Sequence, residues 1–328
     1  MFSLVQLAGA SQKQVKTNRS GFVRQKAVQC IFGGNESWVV LSPIEQAIKA
    51  KIEKAGKPLK DWDIQIYRGI LTGCNEAFIV GEEKRAEILA NCKSADERKR
   101  TDALIRPILR GRDIKRYSYD WAGLYVIATF PALHLDIELY PAVKRHLLTF
   151  GMERLEQTGK THTKDGIKIT ARKKTNNKWF ETQDQIGYWE DFSRPKIIYP
   201  NMTKYMPFYL DRHGFMTNQK CFIISGSNIA FLTAFLNSSL FKFCFRENFP
   251  ELQGGTRELS KVFFDKVKVL QVNEQTDSNF QTLVAEIQGN NERSKVIKDL
   301  LVHIDTLTFN LYNLSDEERK LIGFIEIQ

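Results

Sequence analysis

The sequence predicts an α+β protein, a mixed-sheet domain followed by a C-terminal helical segment, and three observations carry that prediction. Short β-branched runs lie scattered among helices of unequal length, without the regular rhythm of a doubly wound sheet. Two helices carry sharp capping signals at Ser42 and Ser94. The last part changes to a single apolar seam at helical spacing. With 328 residues and 42% apolar side chains, the chain can fill one large core or two modest ones.

Along the chain, residues 1–34 hold Lys13, Lys16, Arg19, Arg24 and Lys26 with no acid and little periodicity, the pattern of a basic connecting arm. A main domain is expected over residues 35–272. Its first helix is announced by Ser42 as N-cap, Pro43 at the first helical position and Glu45 three after the cap. Ile44, Ala47, Ile48 and Ile52 line one face, and Gly56 and Pro58 stop it. Asp61 to Val80 is apolar and β-branched, punctuated by Gly69 and Gly73, and reads as two strands joined by a tight turn. Ser94 with Glu97 opens another helix, which must end before Pro107. Further strands are expected at Gly123 to Phe130, Lys196 to Tyr199 and Cys221 to Ile224. Ile229 to Phe245 reads as a buried helix, because Asn237, Ser238, Ser239 and Lys242 make it too polar to span a bilayer.

In residues 273–328, Ile297, Leu300, Ile304, Leu307, Leu311 and Leu314 alternate steps of three and four, so all six share one seam. It is short, and two outcomes stay open: packing on its own domain, or dimerisation with a second copy. Ser315 with Glu318 caps a last short helix.

The formal charge of +10 is unevenly spread. From Asn273 onward there are 5 basic against 10 acidic residues, leaving +15 for the first 272. A segregated positive field suits a phosphate backbone, whose condensed counterions are released on binding. The five cysteines include no pair at redox or zinc spacing, and the first residues lack the basic start of a secretion signal, so a reducing cytoplasm is expected.

Catalytic and metal-binding constellations are not found. Tyr199-Pro200-Asn201-Met202 offers one proline and no following aromatic, a poor version of the loop that holds an amine for methylation. Asp61 or Asp63 with Glu82 and Lys84 has the spacing of a metal-dependent nuclease, but Glu82 and Lys84 sit where a solvated turn follows a strand. The strongest positive signal is Lys160 to Lys178: six lysines and Arg172 against Asp165 alone, running into Trp179-Phe180 and then Tyr188-Trp189. Read as a loop on double-stranded DNA, Lys164, Lys168, Lys173, Lys174 and Lys178 track phosphate, while Arg172, Asn176 and Asn177 reach base edges. Arg110, Arg112, Lys115 and Arg116 form a second basic cluster. The turn at Gly69, Thr72, Gly73 and Asn75 could bring backbone close to DNA.

Six stretches in order carry a resemblance to a known family: RGILTGCNEAFIV (Arg68 to Val80), LIRPILRGRDIKRY (Leu104 to Tyr117), ARKKTNNKWFETQ (Ala171 to Gln183), YWEDFSRPKIIYPNMT (Tyr188 to Thr203), FLTAFLNSSLFKF (Phe231 to Phe243) and IDTLTFNLYNLSDEER (Ile304 to Arg319). Together they resemble the TaqI-like C-terminal specificity domain of type II restriction-modification adenine methyltransferases. The resemblance implies a target-recognition domain that reads double-stranded DNA for an N6-adenine methyltransferase. It implies S-adenosylmethionine on a separate catalytic domain or subunit, whose cofactor turn and polar-Pro-Pro-aromatic loop are not found in this sequence. No catalytic residue is therefore carried over. Two rival readings are a fragment of a bifunctional restriction methyltransferase and a basic protein-interaction or RNA-binding module.

Overall fold

The computed structural model describes residues 41–324 except 165, 250, 251 and 291–294. The basic arm predicted over 1–34 lies outside the described residues. The chain is α+β, with two four-stranded sheets, shorter β-pairs and a C-terminal run of helices.

Helix α1 (Pro43–Ala55) forms where its capping signals lie. The Ser42 hydroxyl accepts from the Glu45 N–H and the Glu45 carboxylate accepts from the Ser42 N–H, so two orphan donors satisfy each other reciprocally. Strand β1 (Lys57–Pro58) follows, then β2 (Ile64–Arg68), the short helix α2 (Asn75–Phe78), β3 (Ile79–Gly81) and the helices α3 (Glu82–Ala90) and α4 (Ala95–Leu104). Asp61 to Val80 is thus not a hairpin. Its two strands belong to different sheets: β2 pairs with Cys221–Gly226, and β3 with Leu124–Ile127. Both found partners far along the chain, and the Gly69–Gly73 turn serves to leave one sheet for the other.

Helix α4 ends at Leu104, before Pro107, and β4 (Ile105–Leu109) and β5 (Leu124–Ile127) pair antiparallel. Two helices, α5 (Pro141–Leu148) and α6 (Met152–Leu155), lead to β6 (Thr161–Lys164) and β7 (Ile167–Thr170). Then come β8 (Lys196–Pro200), β9 (Met202–Thr203), β10 (Tyr209–Asp211), β11 (Met216–Thr217) and β12 (Cys221–Gly226). One sheet runs β10-β8-β12-β2, antiparallel throughout; the other runs β11-β4-β5-β3 and is mixed, since β11 joins β4 in parallel.

The expected buried helix at Ile229 to Phe245 is two helices, α7 (Ile229–Leu236) and α8 (Ser239–Asn248). Asn237 and Ser238 break it because their side chains compete for backbone groups. Asn237 Nδ2 donates to the Phe208 and Thr233 carbonyls, and the Ser238 hydroxyl caps α8 by accepting from the Phe241 N–H. After β13 (Arg257–Glu258), α9 (Lys261–Phe264) and β14 (Lys268–Val269), helices α10 (Glu274–Gly289), α11 (Lys295–Leu311) and α12 (Asp316–Ile322) complete the described chain. The Ser315/Glu318 capping box is formed.

Two buried clusters flank the antiparallel sheet. Successive side chains of a strand point to opposite faces. Ile197 and Tyr199 of β8 and Ile224 of β12 therefore join one core with α1, α7 and the C-terminal helices. Ile198, Ile223 and Cys221 join the other with α2, β4 and β5. The seam of α11 is spent on the first core: Ile297, Ile304 and Leu314 are buried in it, and Leu300, Leu307 and Leu311 pack against it.

Because both cores use β8 and β12, they should not melt apart. Denaturant unfolding followed by tryptophan fluorescence and by circular dichroism is expected to give one coincident transition. Ile198→Ala should move it by roughly 2–5 kcal/mol through the cavity it leaves. Two separated transitions would contradict the shared-sheet architecture.

Candidate nucleic-acid interface

The basic run that stood out in the sequence folds into a hairpin and a pinned return. Thr161–Lys164 and Ile167–Thr170 pair antiparallel, Lys164 opposite Ile167 and Thr163 opposite Lys168, with Gly166 at φ +78°. Reading Lys160 to Lys178 as a plain loop overlooked a signal, since Asp-Gly between alternating β-branched residues is a strong hairpin signature. Lys168, Lys173, Lys174, Asn176 and Lys178 are exposed.

Arg172 is not among them, and its assignment to base edges is corrected: the side chain is 2% exposed. Its Nε donates to the Leu155 carbonyl at 2.8 Å, one terminal nitrogen to Thr72 and Glu181 carbonyls at 2.9 and 2.7 Å, and the other to Trp179 at 2.6 Å. The guanidinium lies 5.0 Å from the centre of the Phe78 ring. Burial pulls its pKa down to about 10, still charged at neutral pH. Arg172 is the knot that ties α6, the Gly69–Gly73 turn and the Trp179–Glu181 return together. Asn177 is likewise turned inward: its Nδ2 donates to the Thr182 and Gln183 carbonyls, and its side-chain oxygen accepts from Gln185. The aromatics that follow serve packing. Phe180 is buried in the second core, Trp179 and Trp189 pack on it, and Tyr188 stacks on Tyr67 at 4.1 Å.

Of the turn residues Gly69, Thr72, Gly73 and Asn75, the first two are buried, Gly73 is half-buried and Asn75 is exposed. A Cβ on Gly69 would meet the Asn218 carbonyl oxygen at 2.1 Å. Gly73 sits at φ +75°, with Gln183 Oε1 at 2.4 Å from where its Cβ would be. The Thr72 hydroxyl donates to Asn75 Oδ1 at 2.7 Å. The glycines answer close approach by the chain's own backbone and side chains, not an open surface.

The second basic cluster lines a cleft of about 1660 Å³ that the sequence did not foretell. Arg110, Arg112, Lys115 and Arg116 form one part of it, and Lys204, Lys220, Lys242 and Arg257 arrive from elsewhere in the chain. No aspartate or glutamate occurs among the described lining residues. Pro200, Asn201, Met202, Tyr205, Met206 and Pro207 lie between them, and Ile287, Ile297 and Leu301 of α10 and α11 close the far wall.

The cations are not equivalent. Arg110 is held by Asp113 through bonds of 2.8 to 3.2 Å, and Asp113 also accepts from the Arg110 N–H, fixing the turn. Arg116 is half-buried; it donates to the Asn237 carbonyl at 2.7 Å, and burial lowers its pKa. Lys115 faces Asp120 at 3.5 Å, an exposed pair that holds little. Arg112, Lys204, Lys220 and Lys242 are exposed and pair with no carboxylate among the described residues. The last three were missed in the sequence because each is an isolated lysine in an unremarkable context.

A short path links cleft and hairpin. The Arg68 guanidinium donates to the Gln219 carbonyl, the Ile70 N–H to Thr217, and the Gln183 and Asp184 N–H groups to Leu71. Residues 68–73 therefore run between the 217–221 strip that borders the cleft and the 183–184 return of the basic segment. The nuclease spacing does not assemble: Asp63 precedes β2 of one sheet, Glu82 follows β3 of the other, and Lys84 pairs with Glu87. No group of three His, Cys, Asp or Glu that could hold a metal occurs among the described residues.

Residues 106–266 match the TaqI-like C-terminal specificity domain, a segment that includes both basic clusters. Over 325 residues the chain is 21% identical to type II methyltransferase M.PaeR7I of Pseudomonas aeruginosa, covering 98% of this chain and 50% of that protein. Among solved structures it resembles the type IIL restriction-modification enzyme MmeI in complex with DNA, at TM-score 0.50 and 11% identity over 81% of this chain and 35% of that one. The type IIG restriction endonuclease BpuSI follows at TM-score 0.42 and 13% identity, covering 83% and 34%. The chain thus spans about half the length of the curated relative and about a third of the two enzymes.

Removing the Arg172 guanidinium leaves the Leu155, Thr72 and Trp179 carbonyls without a donor, while the Glu181 carbonyl keeps its bond from Gln157. Arg172→Ala should lower the unfolding free energy by about 3 kcal/mol, whereas Lys173→Ala and Lys174→Ala should each change it by less than about 0.5 kcal/mol. Thermal and urea denaturation of the three variants checks this contrast.

Proposed function

We propose that this chain reads double-stranded DNA for an N6-adenine methyltransferase of a restriction-modification system. The observation that carries the reading is the cleft, whose described lining holds no aspartate or glutamate and in which eight basic side chains converge from five separate stretches of the segment that matches a specificity domain. In this reading Arg112, Lys204, Lys220 and Lys242 neutralise phosphates, and Lys168, Lys173, Lys174 and Lys178 of the hairpin and its return add to the field. Arg110 and Arg116 shape the cleft wall as well as charging it, since each is tied to the protein's own groups. Lys164, the hairpin residue next to the turn, belongs to the same phosphate-tracking set. Base reading falls to exposed polar groups such as Asn176, in place of Arg172 and Asn177.

Methyl transfer, with S-adenosylmethionine as donor, is assigned to a catalytic domain or subunit beyond these residues. The setting in this reading is the cytoplasm. Among the described residues no helix is long and apolar enough to cross a membrane.

Two measurements test the reading. Each phosphate that the protein no longer neutralises should reduce the slope of log affinity against log salt by roughly 1. The combined Arg112→Ala, Lys204→Ala, Lys220→Ala variant is therefore expected to bind every duplex more weakly with a visibly flatter slope, and an unchanged slope would remove the cleft from the interface. Selection from a randomised duplex library should enrich a motif containing adenine; enrichment of a motif without adenine would overturn the N6-adenine assignment.

A further inference from the structure

Tyr205 is the most solvent-exposed of the large apolar side chains among the described residues, at 73%, and it stands in the basic cleft. Neither its ring nor its hydroxyl has a partner among those residues. Met202, 53% exposed, lies three positions before it in the same lining. The segment that carries them is held firmly at both ends. Asn201 donates its N–H to the Lys220 carbonyl at 2.8 Å and accepts from the Leu259 N–H at 2.7 Å. Thr203 is paired with Arg257 across β9 and β13, and its hydroxyl accepts from the Tyr205 N–H at 3.0 Å. Pro207 and Phe208 then return to the interior. An anchored tip that presents an aromatic ring and a thioether to water, beside Lys204, is costly unless something apolar meets it. In a cleft whose charge selects polyphosphate, the apolar surface available is the face of a base. Two lining atoms, Asn201 Oδ1 and Arg116 Nε, are also buried without a hydrogen-bond partner, an acceptor and a donor left for a polar ligand.

We propose that Tyr205, backed by Met202, is a stacking wedge that enters the base stack of the bound duplex and opens one step, with Lys204 on the adjoining phosphate. The inference rests on the DNA reading above and adds to it a residue and a deformation. Apolar wedges unstack a step and kink the duplex, and a ring stacked on a base recovers part of what unstacking costs. A duplex with one mismatched pair is already weakened at that step, so a wedge protein should prefer it.

The test is competition binding of the full chain to a matched duplex and to the same duplex with a single central mismatch. Wild type is expected to favour the mismatched duplex by about tenfold, within the range of one base stacked on an aromatic ring. Tyr205→Ala should abolish that preference while keeping the salt slope, and Tyr205→Trp should preserve it. Because the side chain is exposed, all three proteins should melt alike. A wild type that shows no preference, or a preference that survives in Tyr205→Ala, overturns the wedge. Failure to bind any duplex overturns the DNA reading itself and takes this inference with it, an outcome visible before any mismatch is compared.

Discussion

Strand β8 is buried along its whole length and β12 over most of its own, and the arrangement of the rest of the molecule depends on that constraint. Both sides of their sheet must be covered, so helices from the start and end of the chain cover one side, and the mixed sheet with its helices covers the other. A strand buried on both faces admits almost no polar side chain without a partner. Lys196, the first residue of β8, is fully buried, and its ammonium donates to the Asp211 carboxylate and the Phe192 carbonyl. Asp211 accepts further from the His213 and Phe215 N–H groups. Burial pulls the Lys196 pKa down, and the partner carboxylate opposes that pull. A pair of this kind adds little net stability, because desolvation takes most of what attraction returns, but an alternative strand register would strand either charge. It thereby fixes how β8 meets β10.

The interface inherits its shape from this scaffold. Pro200 and Asn201 leave β8 at the edge of the cleft, Lys220 enters β12 beside them, and the Arg110–Arg116 turn lies against the same edge. The far wall comes from α10 and α11, helices that pack on the core behind the sheet. The acidic C-terminal segment thus helps build a basic cleft without placing a described carboxylate in its lining. The buried cluster of Asp305 with Ser239 joins α11 to α8, one turn from the Asn237 carbonyl that receives Arg116. Arg110 and Arg116 line the cleft and are also tied to the protein's own groups, so charge alone does not tell which role a given arginine serves. Arg172 makes the point most sharply. It lies in the densest basic run of the chain, and it is an internal support.

Local grammar was legible in the sequence. Capping at Ser42, Ser94 and Ser315, the break before Pro107, the strands around residues 124–127, 196–200 and 221–226 and the helical C-terminus all depend on neighbours a few positions away. Local hydrogen bonds, proline sterics and side-chain periodicity act at that range, so each residue string carries its own answer. The α+β class and the specificity-domain resemblance followed from the order of such pieces. The segregated positive charge was legible for the same reason, being a sum over residues that needs no geometry.

What only the tertiary structure decided was pairing over long distances. The strands on either side of Gly69 and Gly73 looked like a hairpin, and each instead took a partner that lies later in the chain, because burial on both faces outweighs proximity in sequence. Lys204, Lys220, Lys242 and Arg257 acquired meaning only when folding set them around one cleft, and Tyr205 only when its ring was left outside the core. Arg172 and Asn177 moved the other way, from apparent base readers to internal supports, since backbone carbonyls at the base of the hairpin needed donors. Sequence determined which residues could carry charge, cap or pack; the competition for buried partners determined which of them remained at the surface.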